Sequence, residues 1–272
     1  MKNQRGVQSR WLRFVVGGAI SAIALVGIIL MQQAQLNRPS LWVSDPKQAE
    51  EQEALRLELL QKSPTFGFDN LLADWVFLNF LQYYGDTPVR EQTGYSISPQ
   101  YFDLITRLDP RFVDVYLFLS GTLSYQLGKP ELAIQYMDRG IAALSPKIHP
   151  SAYQVWRFKG LDQLLLLGDI PGSIHSHEMA AEWAKGTPDD YLVPIFQEVA
   201  DFLRKDPNSV PVRLKSWASI YAQATQVKDK QTQARAKQEI GKLGYQLEIK
   251  DGQMYLVPKP VTFDKPQAGG KK

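Results

Sequence analysis

Apolar positions along this chain fall into three patterns, each predicting a different element. Residues 14–31 are eighteen in a row without a charge, almost all of them apolar. A helix of that length rises about 27 Å at about 1.5 Å per residue, close to the roughly 30 Å hydrocarbon layer of a bilayer. The run predicts a transmembrane helix over 14–31. Apolar residues then recur at helical spacing through most of 46–243. Only near the end does a period of two take over, where YQLEI and QMYLVP flank Asp251-Gly252 and predict a small β-hairpin within 244–258.

The helical stretch divides further. Residues 32–45 are polar and broken by proline, a spacer, and 46–62 predicts a juxtamembrane helix with Leu55, Leu59 and Leu60 on adjoining positions of one stripe. Around 66–86 the apolar side chains go nearly all the way round, with Leu71, Leu72, Trp75, Val76, Leu78, Leu81 and Tyr83 on one broad face and Phe77, Phe80 and Tyr84 on the rest. Such a helix has to be covered. It reads as a central core helix, with a partner-docking or membrane-surface helix as the other reading. Ser98 and Pro99 then open a helix that stops at Asp109-Pro110.

From there the alternation is regular. Segments 112–127, 131–144, 153–167 and 173–185 are helical in pattern, with turns at Gly128-Lys129-Pro130 and Gly168-Asp169. Further helices are predicted near 191–205, 212–226 and 228–243. Short helices joined by tight glycine turns form antiparallel pairs. The expected fold is all-α: one N-terminal transmembrane helix, a helical repeat domain over 63–243, the hairpin, and a disordered tail over 259–272.

Charge orients this arrangement. The leader, residues 1–13, carries Lys2, Arg5, Arg10 and Arg13 and no acid, which favours a cytoplasmic N-terminus and places the bulk of the chain in the periplasm or thylakoid lumen. A cleaved secretory signal is the competing reading. The apolar run exceeds the usual signal core of about 7 to 15 residues, and MQQAQLN, with Ala34 as its one small residue, makes a poor cleavage site. Without the leader's four cations, the 31 Lys and Arg fall to 27 against 28 Asp and Glu. A nearly neutral body argues against a nucleic-acid partner, because phosphate binding needs a basic face. The chain has no cysteine, which removes disulfides, thiolate catalysis and Cys-ligated metals.

The segment LFLSGTLSYQLGKPELAIQYMDRGIAALSP, 117–146, resembles a tetratricopeptide repeat. Leu117 stands at its first large packing position, Gly121 at the small crossing position, Gly128 in the turn, and Ala133 and Gly140 at small positions of the second helix, with Pro146 near the end. Two helices cross closely only where one offers Gly or Ala. A weaker copy at 153–183 puts Gly160 in the first helix, Gly168 in the turn and Ala180 in the second, its turn glycine 40 residues after the first. Residues 101–110 are similar to the second helix of a preceding repeat. The chain thus resembles membrane-anchored repeat proteins of bacteria, including cyanobacterial ones, and the resemblance implies protein interaction rather than catalysis.

Candidate chemistry is thin. His175 and His177 are two apart, so on a helix they point about 200 degrees away from each other and cannot share a metal ion. His175 with Glu178 would give only two ligands. Asp69 and Asp74 lie in the most apolar helix, where burial would prepare a general acid or base, although a cap and a hydrogen-bonded neighbour explain them as well. No phosphate-binding glycine loop is present, since Gly128-Lys129 runs into Pro130. Neither catalytic residue, metal nor cofactor is expected. Tyr116, Tyr125, Arg157 and Lys159 are the candidate partner-binding residues on a concave repeat face. The expected function is a membrane-tethered scaffold or assembly factor for membrane complexes. A self-associating tether acting through 66–86, and an enzyme on a helical scaffold, are the alternatives.

Overall fold

The computed structural model describes residues 4–36, 41–250 and 253–259. The chain divides into two compact units, 1–49 and 50–272. In the first, α1 (Gln4–Leu36) runs beyond the predicted span at both ends, and a short α2 (Leu41–Ser44) follows. Within α1, Val16–Gln33 is long and apolar enough to cross a membrane, and none of it is buried by the rest of the molecule. The boundary between the units falls inside α3 (Pro46–Lys62).

The second unit is helical apart from one hairpin. In chain order come α4 (Asp69–Gly85), α5 (Thr87–Thr93), α6 (Ser98–Leu108), α7 (Val115–Leu119), α8 (Pro130–Ala143), α9 (Tyr153–Asp162), α10 (Ile170–Ala184), α11 (Val193–Lys205), α12 (Val210–Gln226) and α13 (Lys230–Lys242). Strands β1 (Tyr245–Lys250) and β2 (Gln253–Pro258) pair antiparallel, Tyr245 opposite Pro258 and Lys250 opposite Gln253. The predicted turn at Asp251-Gly252 and almost all of the predicted tail lie outside the described residues.

The aromatic run in α4 builds the first part of the core. Val76, Phe77, Phe80 and Tyr83 are buried, and Phe80 meets Phe102 of α6 with ring centroids 4.6 Å apart. The opposite face of α4 is not covered, since Leu71, Trp75 and Leu78 are exposed. The helix is therefore half core and half surface. No helix is predicted between 86 and 98, yet α5 forms there, since Pro88 fits a helix's first turn, where its missing N–H is no loss. Asp69 and Ser98 are first residues of their helices rather than caps, and the cap positions fall to Phe68 and Ile97.

Neighbouring helices pack in succession, α4 on α6, α6 on α8, α8 on α9, α9 on α10 and α10 on α11. Two of them change winding. α7 continues as a π-helix over Ser120–Gln126, and α9 over Gln163–Leu167, each ending at a left-handed glycine, Gly128 with φ +59° and Gly168 with φ +70°. Wider winding releases carbonyls at the helix end. The Trp217 indole N–H of α12 donates to the Leu166 carbonyl at 3.1 Å, and the Thr232 hydroxyl of α13 donates to that of Leu127 at 3.3 Å. The α12–α13 pair thus covers the π-wound ends of α7 and α9. Leu166, Trp217, Ile220, Ala236 and Ile240 form the core there, with Tyr245, Leu247 and Leu256 of the hairpin packed against it.

Candidate functional site

The small residues marked by the repeat pattern occupy unlike environments. Gly140 on α8 lies against Tyr116, whose ring fills the place a Cβ would take. Gly160 on α9 meets His177 of α10, 2.7 Å from where its Cβ would be. Ala133 and Ala180 are buried, and Gly128 sits 3.2 Å from the Trp217 ring by the same measure. Gly121 and Leu117 do not match their expected roles. A Cβ on Gly121 would meet nothing within 4 Å, and Leu117 is exposed. The inward stripe of α7 runs through Val115, Tyr116, Leu119 and Leu123, one position away from Leu117.

That rotation removes Tyr116 from the candidate binding face. It is fully buried and donates its hydroxyl to the Pro110 carbonyl at 2.8 Å. Tyr125 packs on the core beside Trp217. Lys159 is half-buried, ion-paired with Asp138 at 2.6 Å, while Arg157 faces solvent beside the Phe158 ring. Of the four candidates, Arg157 alone presents an exposed side chain.

A buried polar centre lies where α7 and α9 meet. Asp162, the last residue before the π-wound part of α9, is fully enclosed. Ser120 donates to its Oδ1 at 3.0 Å and Ser124 to its Oδ2 at 2.5 Å. Burial raises the carboxyl to about 7, and the two serine bonds only partly oppose this. Next in the chain, Gln163 accepts from Ser176 at 2.7 Å and donates to Asp169, which caps α10 through the Gly172 N–H. Ser173 donates to the Gly160 carbonyl, and burial lowers the pKa of His177. Both Asp162 oxygens are engaged and the residue has no solvent access, so this arrangement joins helices and offers nothing to a substrate. Sequence reading overlooked it, although Asp162 falls in register with Val155 and Leu166 on the inward stripe.

The remaining predicted groups stand apart. His175 packs edge-on against Trp156, Glu178 pairs with Arg204, and Asp74 is exposed. Among the described residues no three His, Cys, Asp or Glu side chains gather where they could hold a metal ion.

The more open feature is a groove of about 400 Å³ between α11 and α12. Leu164, Val199 and Leu203 form its floor, and Ile195, Phe202 and Val212 stand exposed along it. Glu198 and Asp206 are the charged residues lining it. The pattern behind it is visible in α11, where Phe196, Ala200 and Leu203 face the core while Ile195, Val199 and Phe202 make a second apolar stripe one position away. One stripe suffices to bury the helix. No family model, curated protein or solved structure matches the chain.

Proposed function

We propose that this chain is a membrane-tethered interaction module in which an N-terminal span carries a tetratricopeptide-like helical body that binds protein partners. Its reading as a scaffold or assembly factor for membrane complexes follows from that. The observation that carries it is the α11–α12 groove, where an apolar floor, exposed Phe202 and Ile195, and a rim of two carboxylates coincide. Apolar, concave and edged with charge, such a groove suits an amphipathic segment whose apolar side chain enters it while a following Lys or Arg meets Glu198 or Asp206. The leader's four cations argue for a cytoplasmic N-terminus, with the body across the membrane. Tethering raises the local concentration of the module around other membrane proteins, so weak contacts become effective.

Two measurements test this reading. The full-length protein should remain in the membrane fraction after alkaline extraction. Affinity purification of crosslinked material from its own membranes should recover a defined complex with the native chain and lose it when Phe202→Asp is introduced. Release by alkali, or recovery of the same complex from both chains, contradicts it.

A further inference from the structure

The exposed apolar face at the start of the body is a second surface, distinct in shape from the groove. The turn between α3 and α4 carries Phe66, 84% exposed, and Phe68, 65% exposed, on either side of Gly67. Phe66 has a φ of +53°, a left-handed conformation that bulky side chains rarely adopt, and Gly67 follows at +86°. Strain of this kind combined with an uncovered aromatic side chain points to a demand outside the fold. α4 continues the surface, because Leu71, Trp75 and Leu78 stand one and two turns apart on its outer face, with the exposed Asp74 as the one charge among them. The guanidinium of Arg56 on α3 lies 4.3 Å from the centre of the Trp75 ring.

We infer that this face, led by Phe66 and Phe68 and continued by Trp75 and Leu78, rests in the interfacial layer of the bilayer that holds the N-terminal span. The inference relies on the membrane-tethered reading. Three observations favour lipid over protein as the occupant. Phe66 and Phe68 flank the tip of a turn, whereas a protein partner's anchor would be received in a concavity. Exposed Phe and Leu around a Trp stacked by Arg56 is a composition suited to the interfacial layer, where the rings sit at headgroup level and the ion pair of Arg56 with Glu53, 3.0 Å apart, stays on the water side. The body is joined to the span by the short segment between Gln33 and Pro46, so the bilayer is always within reach and a marginal patch becomes effective.

A chain without cysteine allows a direct test, since one introduced cysteine can be labelled alone. Four full-length variants, Phe66→Cys, Leu78→Cys, Ala24→Cys within the span and Gln197→Cys on α11, would carry an environment-sensitive fluorophore in phosphatidylcholine–phosphatidylglycerol vesicles. All but Ala24 are exposed positions of the body, so labelling them leaves its core intact. The expected result is strong quenching of position 24 by lipid spin-labelled deep in the chain, strong quenching of 66 and 78 by lipid labelled near the headgroup, and none at 197. Should 66 and 78 behave like 197 while 24 is quenched, the face does not touch lipid and the inference fails alone. An unquenched position 24 removes the span reading and the inference with it. Equal quenching at 197 overturns the inference because the contact is then not specific to this face. Oxidative crosslinking of position 78 between two copies, without lipid quenching, assigns the face to a second copy and overturns it too.

Discussion

Ser124 and Asp162, 38 residues apart in sequence, are joined by a 2.5 Å hydrogen bond inside the protein. The bond ties the π-wound continuation of α7 to the end of α9, and its acceptor is a carboxyl raised to about 7 by burial. A folded-state pKa above the unfolded value near 4 means that the folded chain holds the extra proton between the two values. Stability from this group is therefore fully present below about pH 4 and is lost as pH rises towards 7. Asp162→Asn removes the titration. Unfolding midpoints of the two full chains in detergent, measured across that range, should diverge as pH rises, with the Asn variant gaining relative to the native chain by up to about 4 kcal/mol. Parallel curves would contradict the assignment.

Gly140 and Gly121 should respond oppositely to alanine. A Cβ on Gly140 collides with the buried Tyr116 ring, so Gly140→Ala should cost about 1–3 kcal/mol. Gly121 has open space, and Gly121→Ala should be neutral or stabilising by up to about 1 kcal/mol. Chemical denaturation of both variants distinguishes the two environments.

Arg90 is almost wholly buried. Its guanidinium lies 3.7 Å from the centre of the Tyr83 ring, donates to the Gly94 carbonyl at 2.7 Å and stands 3.7 Å from Glu50. Truncation would remove the cation beside the half-buried Glu50 and leave it and the Gly94 carbonyl to the Ser96 and Tyr83 hydroxyls. Arg90→Ala should destabilise by about 3 kcal/mol, and Glu50→Gln by less, because the amide still accepts from Ser96. Equal effects from the two would show that the ion pair, not the arginine's packing, dominates.

Phe202 lies 60% exposed over the groove floor, so Phe202→Asp should leave the unfolding midpoint within about 0.5 kcal/mol of the native chain. A larger loss would mean that the side chain belongs to the core.

Much of the helical pattern was legible because period and turn chemistry agree there. The segments 46–62 and 153–167 coincide with observed helical spans, and Gly128 and Gly168 do sit in left-handed turns. Phase was harder to read. On α7 the repeat pattern favoured Leu117 and Gly121, whereas packing chose Tyr116 and Leu123, since a resemblance fixes register only as well as its weakest match. The same limit put Tyr116 on a binding face when it lies in the core. Asp162 was invisible because a lone carboxylate in an apolar run looks like an interruption, and its partners come from another helix. The groove was missed because 191–205 was read as a helix without separating its apolar stripes, while α11 carries one more than its packing uses.

The interaction reading is tested most directly by a photoreactive amino acid placed at position 202 of the full-length chain in its native membranes, beside the same group at the exposed Ala222 on α12. Irradiation should yield one discrete protein adduct from 202, absent from 222 and suppressed by Val199→Asp in the groove floor. Adducts at both positions, or at neither, would contradict the claim that the α11–α12 groove receives a partner.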